Sequence, residues 1–103
     1  SVTFTAVAGR RYRITVRLEV FAQTADGAFQ SVIVDAASAQ LQRYTDACLT
    51  TVARTVMFVH VETPAAGLIT RKVRLQKAGG TGVMNLTCDA TRPAFIVVED
   101  IGT

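Results

Sequence analysis

Residues 10–21 read RRYRITVRLEVF, an alternation that only one kind of backbone can exploit. From Tyr12 to Val20 the even positions hold Tyr12, Ile14, Val16, Leu18 and Val20, while Arg11, Arg13, Thr15, Arg17 and Glu19 fill the odd ones. Successive side chains point to opposite faces of a strand, so an extended chain places all five large apolar groups on one side. A helix would scatter them around its circumference. The stretch predicts a long strand over Arg10–Ala22, with one face in a core and an Arg/Thr/Glu face outside it.

The same period recurs along the chain, with turn residues about every 8 to 12 positions, which is the pattern of an all-β sandwich or barrel. Val2–Val7 forms a first strand, turned by Ala8-Gly9. After the long second strand, TADGAF at 24–29 sets an Asp-Gly pair between two apolar runs, the strongest short hairpin signal, and Gln30–Asp35 is expected as the returning strand. AASAQLQRY at 36–44 is rich in helix formers, but in an otherwise β chain it reads as a loop plus a short strand. Thr51–Glu62 is a long strand that is apolar on both faces around VMFVHV, as expected where a second element or subunit covers the outer side. ETPAAG turns the chain into Leu68–Lys77, where Arg71 occupies an otherwise inward position, and AGGTG turns it again into Val83–Ala90. Pro93 then restarts it into Phe95–Val98. Eight antiparallel strands in a single domain spanning 1–103 fit a jelly-roll-like sandwich, with an immunoglobulin-like sandwich as competitor.

Composition points to a covered surface. Half of the residues are hydrophobic and 18% are charged, a richer apolar fraction than an average soluble domain carries. The net charge of +3 rests on nine arginines and two lysines, a bias toward the side chain that makes forked, partly desolvated contacts. The chain opens at Ser1 directly on a strand pattern, as expected of a processed product or of one segment of a longer polypeptide. No apolar run approaches the roughly 18 residues that span a bilayer as a helix. Cys48 and Cys88 could pair, but two cysteines fix no framework, and free buried thiols behaving as small hydrophobes are the favoured reading. Asn85-Leu86-Thr87 meets the glycosylation pattern, but a polar strand face is the favoured reading.

Residues that carry chemistry are scarce. His60 is the single histidine, set on an apolar strand where a hydrogen-bonded structural or interface role is expected. Glu99 and Asp100 are adjacent and so point to opposite faces, which is poor geometry for a paired-carboxylate site. The glycines of AGGTG sit between strands rather than opening a helix, and no GxSxG elbow or metal-ligand spacing occurs. Neither an enzyme nor a cofactor or metal is expected. Arg10, Arg11, Arg13 and Arg17 together resemble an electrostatic footprint for nucleic acid, yet stacking aromatics are missing from that face and Glu19 shares it. A polar subunit interface is favoured, in which these arginines meet carboxylates such as Glu62, Glu99 or Asp100 of a neighbour.

Four stretches, VTFTAVAGRRYRI, ETPAAG, GTGVMNL and ATRPAFIVVEDIG, occur in this order over nearly the whole chain. Together they resemble a recurrent pattern in small virion structural proteins of tailed bacteriophages that infect actinobacteria. The resemblance implies a compact β-sandwich module on the virion surface, of the head-decoration, minor-tail or fibre-tip kind, commonly a trimer about a threefold axis. It implies no catalytic residues, and it agrees with unpaired Cys48 and Cys88, because phages assemble in a reducing host cytoplasm.

Two functional expectations follow from the resemblance. The first is a capsid decoration module that cements the particle, with capsid or tail proteins as partners. The second is a tail-fibre or minor-tail module that binds a host-surface receptor through loops such as TADGAF and TPAAG, where Phe29 is the one aromatic candidate for stacking on sugars. Both give an interface set of Arg11, Arg13, Arg17, Met57, Val59, His60 and Val61, and neither calls for nucleic acid or membrane. A secreted immunoglobulin-type binding domain is a third possibility that would predict a Cys48–Cys88 disulfide, but the chain has no tryptophan to pack on it.

Overall fold

A computed structural model describes residues 1–22, 26–48, 54–79, 84–87 and 94–103. Two antiparallel sheets face each other as a β-sandwich. The strands are β1 (Val2–Ala6), β2 (Arg11–Ala22), β3 (Gly27–Val34), β4 (Gln40–Cys48), β5 (Arg54–Glu62), β6 (Gly67–Gly79), β7 (Met84–Thr87) and β8 (Phe95–Gly102). One sheet runs β1-β6-β3-β4. In the other, β2 is central, with β5 on one flank and both β8 and β7 on the other. The sheets approach along two seams, where β4 nears β5 and β1 nears β8. Among the described residues no helix is long and apolar enough to cross a membrane.

The alternation in β2 builds the core as its sequence requires. Ile14, Val16, Leu18 and Val20 are buried together with Phe29 and Ile33 of β3 and Val56 and Phe58 of β5. Val73 and Leu75 of β6 and Ile96 and Val98 of β8 close around them. Tyr12, at the start of the same face, packs its ring on Phe4 at 5.1 Å, and its hydroxyl accepts the Val7 amide at 2.9 Å. The Ala8-Gly9 turn follows from a local need: Gly9 takes φ +79°, which a side chain disfavours, and the Arg10 amide returns to the Val7 carbonyl at 3.3 Å. The stretch read as loop plus strand resolves into a turn over Asp35–Ala39, held by Asp35 Oδ1 accepting the amides of Ala37 and Ala39, and then the nine-residue β4.

One expectation is corrected. The Asp-Gly signal predicts that β2 and β3 pair as a hairpin, but they lie in different sheets, β2 bonding to β5, β7 and β8 and β3 to β4 and β6. Gly27 is already the first residue of β3. A turn signal specifies where a chain reverses, not which strand it then joins, and here the chain crosses between the layers. Residues 51–53, 80–83 and 88–90, which carry parts of the expected strands and of the AGGTG turn, lie outside the described residues. So does Cys88, and with it the question of its pairing with Cys48.

Candidate functional site: the outer face of the β5-β2-β8 sheet

Direct cross-strand partners point to the same side of a sheet, so register fixes what the outer face presents. Met57, Arg17 and Phe95 form one row across β5, β2 and β8. Val59, Thr15 and Val97 form the next, and Val61, Arg13 and Glu99 the third. The face is thus three columns. Met57, Val59 and Val61 are 57%, 42% and 47% exposed on one flank, and Phe95 and Val97 are 36% and 42% exposed on the other. Between them runs the Arg/Thr column of β2. Strands lie about 4.8 Å apart, so the two apolar columns are separated by roughly 10 Å.

Most arginines at this face are held by carboxylates of their own chain, while Arg11 takes part in no ion pair among the described residues. Arg13 donates from Nε and Nη2 to the two carboxylate oxygens of Glu99, both at 3.2 Å, and Arg10 Nε donates to Asp100 at 2.7 Å. The Arg10 bond, seconded by the Gly102 amide at 3.0 Å, holds the Asp100 carboxyl below its ordinary range. Arg17 lies 3.6 Å from Glu19, which also accepts the Thr55 hydroxyl at 3.2 Å. Glu62, Glu99 and Asp100, expected to meet arginines of a neighbour, each hold an arginine of their own chain. The solvent-exposed pairs, Arg10–Asp100 and Arg13–Glu99, contribute little to stability. Within the column the ion pairs neutralise Arg13 and Arg17 and leave Arg11 as its cation.

The sequence-derived set is brought together except at one position. Arg11, Arg13, Arg17, Met57, Val59 and Val61 share the outer face, whereas His60 lies on the opposite side of β5, in register with core-facing Ile14. There it belongs to a polar cluster at the β4–β5 seam. Gln42 donates from Nε2 to the Val59 carbonyl at 2.7 Å, and its Oε1 meets His60 Nδ1 at 2.9 Å. His60 Nε2 lies 3.4 Å from Glu62, and Arg71 clasps Glu62 with Nε at 2.8 Å and Nη2 at 2.5 Å while Nη1 donates to the Thr70 carbonyl at 2.9 Å. This cluster gives Arg71 its reason to stand at an inward position: it neutralises a carboxylate that reaches in from the other sheet. Phe95 and Val97 were absent from the sequence-derived set, although the period of PAFIVVEDIG places them two apart on one face.

Arg71 holds the Glu62 carboxyl below its ordinary range, chiefly by hydrogen bonding, against the opposing effect of burial. A carboxyl with a depressed folded-state pKa stabilises the fold fully above its unfolded value, near 4.3, and loses that stabilisation as pH falls through the folded value. The wild-type melting temperature is expected to exceed that of Glu62→Gln at pH 6. The gap should narrow as pH is lowered from about 5 to about 3, and a gap independent of pH would show that the carboxylate charge is immaterial.

Nothing in the cluster points to catalysis. Its side chains are consumed by one another, and a cavity of about 360 Å3 lies elsewhere, lined by Val16, Leu18, Val73, Leu75 and Ile96 with Ser1 and Arg17 as its polar groups. Among the described residues no group of three or more His, Cys, Asp or Glu side chains could hold a metal ion. No protein-family model, curated protein or solved structure matches the chain. Function is therefore read from the surface itself and from the sequence resemblance.

Proposed function

We propose that the protein is a non-enzymatic virion structural module that assembles as a trimer through the outer face of the β5-β2-β8 sheet and cements a phage capsid from the particle surface. The observation that carries the assembly reading is the pair of exposed apolar columns flanking an arginine column that is neutralised at Arg13 and Arg17. Fully burying a side chain of this size is worth about 1.5 to 3 kcal/mol, so half-exposed Met57, Val59, Val61, Phe95 and Val97 have roughly 5 kcal/mol to gain together. That is comparable with the entropic cost of association. Two separate columns on one face also suit a threefold ring, in which the Met57 column of one protomer meets the Phe95 column of the next, a heterologous contact that closes. The phage context comes from the resemblance of the four stretches quoted above. The jelly-roll form belongs to the same reading, supported by pairing between strands distant in sequence, β3 with β6 and β2 with β7. Receptor binding at a tail or fibre tip is the less favoured role, because the described turns at 35–39 and 63–66 are short and carry no aromatic side chain.

The test is the mass of the purified protein by sedimentation velocity, followed by binding to empty phage heads and to host envelopes. A trimer that saturates heads at a fixed ratio is expected. Met57→Glu with Val61→Glu should yield a monomer that no longer binds heads. A wild-type protein that stays monomeric at high concentration would defeat the assembly reading. One that ignores heads but coats host envelopes would move the function to receptor binding.

A further inference from the structure

The opposite layer carries a second feature that assembly through β5-β2-β8 does not use. Arg10, Arg13, Arg54 and Arg71 each hold a carboxylate of their own chain, at 2.7, 3.2, 3.1 and 2.5 Å, and Arg17 lies beside Glu19. Arg43, Lys72 and Arg74 take part in no ion pair among the described residues. Register collects these three on one face. Val32 pairs with Arg43 of β4 on one side and Arg74 of β6 on the other, and Val34 pairs with Lys72. Phe29 and Ile33 of β3 belong to the core, so the Val32 face is the outer one. Val32 and Val34 are themselves buried, which fits long cationic stems lying over them. The Cα atoms of Arg43 and Arg74 are two strand spacings apart, roughly 10 Å, and Lys72 stands about 7 Å along β6 from Arg74. Their surroundings are neutral: Gln76 donates to Gln30 at 2.7 Å, Thr3 bonds Thr70 at 3.2 Å, and no carboxylate occupies a paired position on this face.

We propose that this outer face of the β1-β6-β3-β4 sheet docks a carboxylate-rich protein surface. Charge complementarity selects the partner class. A second copy of this chain is the poorer match, since Glu19, Asp46, Glu62, Glu99 and Asp100 are already engaged by arginines of the same chain and Asp35 by the amides of its own turn. Single-stranded nucleic acid would need aromatic side chains for stacking, and a duplex read through its grooves would need a protruding helix or ribbon; this face is a sheet bearing Thr, Gln, Arg and Lys. Guanidinium groups match carboxylates as two-pronged donors, and the two arginines are spaced to engage two separate acidic groups. The inference does not depend on the trimer, although three copies of the face on one particle would multiply a weak contact.

A fluorescent polyglutamate peptide is the probe, titrated by anisotropy against the whole protein at low salt, with duplex DNA as the comparison. Arg74→Glu should weaken polyglutamate binding about tenfold, equivalent to roughly 1.4 kcal/mol. Arg10→Glu, which changes net charge equally but lies at the turn before β2 and outside the assembly set, should change it less than about twofold, and salt should abolish binding in both. Matching thermal melts of the two variants establish that the fold is intact. No binding by the wild type, equal losses in the two variants, or tighter binding to DNA than to polyglutamate would each overturn the proposal.

Discussion

Replacing Phe29 by alanine is expected to cost about 3 to 5 kcal/mol, the range for deleting a large aromatic group from a packed core. Phe29 is fully buried at the middle of the layer interface, in the cluster with Ile14, Val16 and Val56. No neighbour can move into the vacated space without distorting a sheet. For a domain of this size each kcal/mol lowers the melting temperature by about 4 to 8 °C, so the variant should melt roughly 12 to 40 °C below the wild type or fail to fold at 37 °C. Leu68→Ala is the contrast, because Leu68 is almost wholly exposed on β6 and its loss should shift stability by less than about 0.5 kcal/mol. Denaturant titrations of both variants give the comparison, and similar midpoints would mean that Phe29 does not occupy the packed centre.

The second large effect is expected at the β4–β5 seam. Arg71→Ala leaves the Glu62 carboxylate mostly enclosed with only His60 beside it, and breaking a buried pair from one side typically costs about 3 kcal/mol or more. The enclosure here is partial, so about 2 to 3 kcal/mol is the expected loss. Removing both partners, as in Glu62→Gln with Arg71→Met, should cost less than the sum of the two single changes, because no lone charge remains. A four-variant cycle measured at pH 7 reads this directly, and additivity within about 0.5 kcal/mol would show that the two groups do not depend on each other.

The parts of the fold that were legible in the sequence are those governed by local period. Tyr12 to Val20 assigned the two faces of β2 correctly, because a strand's side-chain period is fixed by its backbone, and the Met57-to-Val61 column followed from the same rule. Strand partners were less accessible. The Asp-Gly pair at 26–27 marked the start of β3 but misdirected its pairing, since layer crossing depends on burial across the whole sandwich. The cluster of Gln42, His60, Glu62 and Arg71 could not be read at all. Its members come from three strands and two sheets, and only Arg71, as a charge at an inward position, signalled that something polar had to meet it. The arginines show the complementary failure: their number was evident, but the neutralisation of Arg13 by Glu99 depends on β8 pairing in one register with β2.

The position of β2 also dictates an order of events during synthesis. This strand is synthesised before all of its hydrogen-bonding partners, residues 54–62, 84–87 and 95–102. Until those emerge, Ile14, Val16, Leu18 and Val20 have no sheet to join and stay open to solvent or to the same stretch on another nascent chain. Distant pairing of this sort slows folding and lengthens the aggregation-prone interval. Arg11, Arg13 and Arg17, interleaved with those apolar residues, then act while the chain is still unfolded, as like charges that keep two unfinished chains from zipping together.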